Sequence, residues 1–160
     1  MITTVLAAPG SGKTTVVRPL AALLPGHAVV DWDAFMAPAA ALAGREIRQN
    51  PDTWPAYRDL VRAVITSVAH LPVVLLGVCT PDELHDWPVG SWVLLDCADR
   101  ERRERLARSA RPGDVRAAST DARTYRSLGL PVIDTTGRTP QQVAAAIALF
   151  VHQAEHGPSW

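Results

Sequence analysis

The sequence predicts an α/β fold of three layers, a five-stranded parallel sheet with helices on both faces and a short lid. Three observations predict it. Short apolar runs alternate with helical patterns along the whole chain. Of its 160 residues, 48% are hydrophobic, enough to bury a core in one domain of common size. A glycine-rich loop, Pro9-Gly10-Ser11-Gly12, joins the first apolar run to the first helical pattern.

The elements follow in order. Met1 to Leu6 is an apolar, β-branched run expected as the first strand, and Thr14 to Leu24 carries Val16, Val17, Leu20, Leu23 and Leu24 at helical spacing. Arg18-Pro19 inside that helix is expected to kink it or to tighten its early turns. His27 to Val30 is the second strand and leads into Asp31. An inserted helical region, 34–70, comes next, with patterns over Asp33 to Ala43 and Thr53 to His70. Its spacing turns Leu60, Val61, Val64, Ile65 and Val68 toward a core. Leu71 to Gly77, Ser91 to Leu95 and Leu130 to Ile133 are the remaining strands. Arg100 to Ser109, Ala117 to Leu128 and Pro140 to His152 are the remaining helices, the last capped by Thr139 with Pro140 at its first position. The reading is one domain over 1–155, with a lid at 108–117 and a frayed tail at 156–160. In such a sheet, ligands gather at the carboxyl ends of the strands.

The loop carries the first chemistry. Ala7-Ala8-Pro9-Gly10-Ser11-Gly12-Lys13-Thr14 has the pattern of the phosphate cradle of P-loop NTPases, with Ala7 in place of the usual first glycine. Gly10 and Gly12 let backbone N–H groups curl around an anion, and Thr14 offers the hydroxyl that coordinates Mg²⁺. Lys13 is the only lysine of the chain; every other permanently cationic side chain is arginine. A compact ammonium reaches between phosphates where a planar guanidinium does not fit. The expected ligand is Mg²⁺-ATP, held by Pro9, the N–H groups of Gly10, Ser11, Gly12, Lys13, Thr14 and Thr15, and the Lys13 and Thr14 side chains.

Val29-Val30-Asp31-Trp32-Asp33 places two carboxylates just past a strand end, beside that loop. One suits a metal ion and the other suits the proton of an attacking hydroxyl. Asp33 is favoured as base and Asp31 as the metal-side residue, with the reverse order open and a helix-capping role for Asp33 as the structural alternative. Arginines crowd the stretch from Arg100 to Arg116, where Glu101 and Glu104 supply ion pairs on a solvated face. Arg108 and Arg111, next to Pro112-Gly113, suit a lid that closes over transferring phosphates. The acceptor is expected beside the inserted region, where Arg45, Arg48, Trp54, Tyr57, Arg58 and Arg62 offer positive charge and aromatic faces for a phosphate, a carboxylate or a planar base.

Composition narrows the partners. Formal net charge is zero, so no basic field draws nucleic acid or anionic membrane. Cys79 and Cys97 are too few and too far apart for a disulfide framework or a zinc site. With no signal peptide pattern and no long apolar span, the expectation is a cytoplasmic monomer or homodimer acting on a small molecule.

Together these features resemble the small P-loop kinases: nucleoside and nucleotide kinases, shikimate and gluconate kinases, chloramphenicol phosphotransferase and the kinase module of polynucleotide kinases. The resemblance spans essentially the whole chain and rests on Ala-Pro-Gly-Ser-Gly-Lys-Thr-Thr, Val-Val-Asp-Trp-Asp, Leu-Asp-Cys-Ala-Asp-Arg-Glu-Arg-Arg-Glu-Arg-Leu and Val-Ile-Asp-Thr-Thr-Gly-Arg-Thr-Pro. It implies ATP-dependent transfer of the γ-phosphoryl group to a small hydroxyl- or phosphate-bearing acceptor such as a nucleoside, nucleotide or other metabolite, with Asp33 activating a hydroxyl and Arg108 and Arg111 as lid arginines facing ATP. It further implies Thr136, Gly137 and Arg138 beside the adenine. The third strand ends Leu75-Leu76-Gly77-Val78-Cys79 without the acid of a Walker B strand, as in shikimate-type kinases. Asp96 reads as a structural strand-end carboxylate. The alternative function is a nucleotide-binding regulatory or assembly ATPase with no small acceptor.

Overall fold

A computed structural model describes residues 1–48, 50–88, 90–108 and 115–157. Five parallel strands form one sheet: β1 (Ile2–Ala7), β2 (Ala28–Asp31), β3 (Val73–Gly77), β4 (Ser91–Asp96) and β5 (Val132–Asp134), in the order β2-β3-β1-β4-β5. Around it lie α1 (Lys13–Leu23), α2 (Met36–Ala43), α3 (Trp54–Ser67), α4 (Asp99–Arg108), α5 (Val115–Arg126) and α6 (Pro140–His156). All six β1 residues are buried, as a central parallel strand covered on both faces requires.

The period of two along the strands sorts the core. Val5, Ala7, Val74, Leu76, Val93 and Leu95 face α1 and α6, meeting Val16, Leu20, Leu24, Val143, Ala144 and Ile147. Their neighbours Ile2, Val73 and Leu75 face the opposite side, where Trp32, Tyr57, Val61, Ile65 and Trp87 cover them. Leu6, Ala8 and Leu94 on that side meet Ala122 and Tyr125 of α5. The register pairs Leu6 with Gly77 and with Leu94, and Asp31 with Leu76, so all the strand ends arrive at one edge.

Several boundaries shift from the sequence expectation. The first inserted helix splits into a 3₁₀ turn over Trp32–Phe35 and then α2. A second such turn, Pro51–Thr53, precedes α3. Leu60 is 41% exposed rather than core-facing, because α3 buries only the stripe of Tyr57, Val61 and Ile65. Pro19 sits within α1, which runs unbroken to Leu23. At α6 the cap is reciprocal: the Thr139 hydroxyl accepts from the Gln142 N–H, and the Gln142 side chain accepts from the Thr139 N–H. No helix among the described residues is long and apolar enough to cross a membrane.

Candidate active site

The loop after β1 is shaped by two left-handed glycines, Gly10 at φ +81° and Gly12 at φ +95°. A side chain at Gly10 would also strike Arg102 Cγ at 3.0 Å and Leu106 Cγ at 3.1 Å. Gly12 is the N-cap of α1, and no side chain caps it. The first-turn N–H groups, which a helix leaves without internal partners, are therefore available to an anion, with the positive end of the helix dipole behind them. Thr15 differs from the expectation: its N–H donates to the Gly12 carbonyl at 3.1 Å, so it closes the turn. The Ser11 hydroxyl is buried with no partner. Uncapped N–H groups, an orphan hydroxyl and a lysine fit nucleotide phosphates.

The other side of the loop is anchored. Arg102, wholly buried, donates to the Pro9 carbonyl at 2.8 Å and to Asp96 Oδ1 at 2.6 Å. Arg105 donates to the Gly10 carbonyl at 3.4 Å and to the Thr135 hydroxyl and carbonyl at 3.0 and 2.8 Å, while pairing with Glu101 at 2.5 Å. The Thr135 hydroxyl in turn donates to the Ser11 carbonyl at 2.9 Å. Three consecutive carbonyls are thus bonded from the α4 and β5 side. Sequence reasoning grouped Arg102 and Arg105 with a solvated arginine face and missed Thr135. The available signal was their i, i+3 spacing in α4, which puts both on one side of that helix. Asp96 takes Arg102 on one oxygen and Arg126 on both, at 2.5 and 3.1 Å, so it is a structural carboxylate as expected.

Across the loop, Lys13 Nζ lies 3.2 Å from Asp31 Oδ1 and 2.7 Å from Asp33 Oδ2. The lysine is buried and the Asp31 side chain is 10% exposed, whereas that of Asp33 is 29% exposed. The two carboxylates are fixed by Trp32 between them. Its indole is fully buried 5.6 Å from the Tyr57 ring and 6.0 Å from the Trp54 and Trp87 rings. The Tyr57 hydroxyl donates to the Trp32 carbonyl, and burial raises the Tyr57 pKa, keeping the phenol a donor. The capping role belongs to Asp31, whose Oδ1 accepts from the Asp33 N–H at 3.1 Å. Asp33 Oδ1 instead meets Arg48 at 3.2 Å. Thr14 is exposed beside Lys13, and its hydroxyl with the Asp31 carboxylate makes an all-oxygen donor pair of the kind Mg²⁺ prefers.

The remaining expected residues scatter. Arg108 lies exposed in the last turn of α4, donating to the Glu104 carbonyl at 3.2 Å, and Arg111 falls outside the described residues. Thr136, Gly137 and Arg138 form an exposed turn after β5: the Thr136 hydroxyl accepts from Ala98 N–H, and Gly137 N–H donates to Glu101. That bond, then the Arg105 guanidinium, holds the Glu101 carboxyl below the ordinary glutamate value. Tyr57 is buried and Trp54 packs on it, so both serve as scaffold first. Arg58 and Arg62 are tied to Asp86, at 3.6 and 2.9 Å.

A cleft of about 380 Å³ opens between Pro9, Arg48, Trp54, Val78, Thr80, Glu83, Asp121 and Tyr125. Pro9 belongs to the cradle and Arg48 to Asp33, so the cleft adjoins the site at the carboxyl ends of the strands. A smaller hollow of about 170 Å³ at Ile2, Trp87 and Trp92 lies at the opposite strand ends, remote from Lys13.

The uncapped helix start, paired glycines and Lys13–aspartate cluster sit at the carboxyl ends of the strands in a fold similar to that of the small P-loop kinases. The Deinococcus radiodurans tunicamycin resistance protein matches with a TM-score of 0.69 at 22% identity, covering 94% of each chain. Shikimate kinase from Acinetobacter baumannii, solved with shikimate, gives 0.64 at 20% identity over 95% of this chain and 93% of its own. A gluconokinase from Sinorhizobium meliloti gives 0.63 at 18% over 99% and 97%. No protein-family model and no curated protein matches the sequence.

Proposed function

We propose that this protein is a kinase transferring the γ-phosphoryl group of Mg²⁺-ATP to a hydroxyl of a small acceptor. The observation that carries the reading is Asp33, its side chain 29% exposed, 2.7 Å from the cradle lysine and 3.2 Å from Arg48, which lines the cleft. The N–H groups of Gly10 to Thr14 and the Lys13 ammonium hold the phosphates. Thr14 and Asp31 would hold Mg²⁺, which would supply charge neutralisation at the phosphates. Asp33 accepts the acceptor's hydroxyl proton as the acceptor oxygen bonds to phosphorus; the bond from phosphorus to the β-phosphate oxygen breaks and ADP leaves. The ion pairs of Asp33 with Lys13 and Arg48 hold its carboxylate in place before the acceptor arrives. Arg105, already at the Gly10 carbonyl, is the arginine of α4 closest in role to a phosphate partner, and Arg108 and Arg111 belong to the lid. Similar folds in sugar, gluconate and shikimate kinases support the reading.

An ADP-release assay over hydroxylated acceptors, paired with calorimetry of ATP binding, tests it. The expected result is ATP binding with release stimulated by an acceptor. Slow hydrolysis that no acceptor stimulates, together with stable association with another protein, overturns it in favour of a regulatory ATPase.

A further inference from the structure

A second cluster of donor atoms lies at the edge of the sheet opposite Lys13. α6 closes on His152, Glu155 and His156, spaced i, i+3 and i+4, and a helix puts those three side chains on one face of its final turns. One donor atom of each lies within 4.8 Å of the others. His27 directly precedes β2, so it sits at the amino ends of the strands, where α6 also finishes after starting beyond β5. Leu24 and Val151 share one core, which brings the end of α1 against the end of α6. The His27 N–H closes the intervening turn on the Leu24 carbonyl at 3.1 Å, and that turn delivers the imidazole to Glu155.

Burial separates support from ligands. The His27 side chain is 11% exposed and that of Glu155 16%, whereas His152 is 51% exposed and His156 is exposed as well. His27 Nε2 donates to Glu155 Oε1 at 2.9 Å, and its Nδ1 is buried with no hydrogen-bond partner among the described residues. Glu155 is therefore what the buried ring holds. The other carboxylate oxygen, Oε2, faces His152 Nδ1 at 3.7 Å, too long for a hydrogen bond. Zinc bonds of about 2.0–2.2 Å to nitrogen and oxygen set two donors about 3.4 Å apart at a tetrahedral angle. Small rotations of the exposed imidazoles close the remaining gap. The helix adds its own attraction, since its last carbonyls lack internal partners and its dipole is negative at this end.

We infer that His152, Glu155 and His156 form a Zn²⁺ site on the last turns of α6, with His27 as the positioning residue that holds Glu155. Two imidazoles and one carboxylate are a zinc donor set, whereas Mg²⁺ prefers oxygen alone, so this site and the all-oxygen pair at Thr14 and Asp31 select different ions. Water fills the coordination positions that the three side chains leave open. The bound ion clips the end of α6 to a carboxylate anchored on the α1–β2 turn, and it stabilises the fold from the edge remote from the cradle. None of these residues belongs to the phosphate site, so the inference does not rest on the kinase reading.

Calorimetric titration of ZnCl₂ into the full chain, free of any polyhistidine tag and of nucleotide, tests the inference. Saturable binding of one ion per chain at micromolar zinc is expected, undisturbed by a large excess of Mg²⁺, with a Tm that climbs as zinc is added. His152→Ala and His156→Ala should each weaken zinc affinity at least about tenfold, and the two together should abolish the rise in Tm. His27→Phe, which keeps a ring but loses the donor, should weaken zinc binding about tenfold with all three ligands intact, and His27→Gln, which restores an N–H, should recover it. Cooperative melting of each variant without zinc shows that it is folded. A parent chain that binds no zinc, or binding that survives unchanged in the paired histidine variant, overturns the site. Zinc affinity indifferent to His27→Phe overturns the positioning role of His27.

Discussion

Lys13 touches two carboxylates at and just past the end of β2, so its ammonium has a defined position and its charge is already balanced. Shape should matter as much as charge here. Lys13→Arg keeps the charge but brings a planar fork into a space that is 8% exposed, and it should lose phosphoryl transfer nearly as fully as Lys13→Ala, measured by ADP release. Asp33→Asn should reduce transfer at least about a hundredfold while ATP affinity measured by calorimetry stays near the parent value. Asp31→Asn should instead change the Mg²⁺ dependence of turnover, while its amide oxygen keeps the cap on the Asp33 N–H. Cys79 gives an independent check on packing. Burial pushes its thiol up to about 12, so at neutral pH it is a protonated, inert core residue. A thiol reagent should leave Cys79 unlabelled in the native chain and label it promptly in denaturant.

Among the elements, α4 carries more than its sequence suggested. Its arginines look like a solvated row when counted along the chain, yet Arg102 is fully buried and Arg105 is 22% exposed, both against the loop after β1. Hydropathy cannot reveal a buried guanidinium, because the partners that make burial tolerable, Asp96 and the Pro9 carbonyl, are distant in sequence. Arg102→Ala leaves Asp96 to Arg126 alone, frees the Pro9 carbonyl and opens a cavity where the guanidinium lay, and should lower stability by about 3 kcal/mol in denaturant titration. The acid limb belongs to the same region. Glu101, Asp99 and Asp134 all have carboxyls held below their ordinary values, by the Gly137 N–H, Arg126 and Thr136 respectively. Each contributes stability above its unfolded pKa and loses it as pH falls through the lower folded value, so stability should decline below about pH 4.5. Asp121 has the opposite sign and opposes that decline. Glu101→Gln should flatten the loss, seen as a smaller drop in Tm between about pH 5 and pH 3.

For the whole molecule, all five strands and the six helices were legible because apolar runs of a parallel sheet and helical stripes differ in length and period. The glycine loop with Lys13 and the paired aspartates were legible because each is local in the chain, a few residues on one loop or at one strand end. Strand order was not. That β3 lies between β1 and β2, so that Asp31 and Asp33 must reach across the end of β3 to meet Lys13, is a property of the sheet. Glycine at the end of β3, Gly77, leaves ordinary space toward Trp32, and a small residue there keeps that crossing open. Leu60 was misplaced because a spacing of three and four fits two adjacent stripes of α3, and only the packing against β2 and β3 selects one.

Two sets of contacts hold the site from opposite sides of β1. Arg102, Arg105 and Thr135 fasten the loop carbonyls from the β4–β5 half, and Trp32, Tyr57 and Arg48 fasten the aspartates and the cleft from the β2–β3 half. Neither set shares a residue with the other. Substitutions on the β2–β3 side of the cleft, at Arg48 or Trp54, therefore leave the bonds on the loop carbonyls in place, and on the kinase reading proposed above acceptor choice drifts in one half while the nucleotide site is inherited with the other.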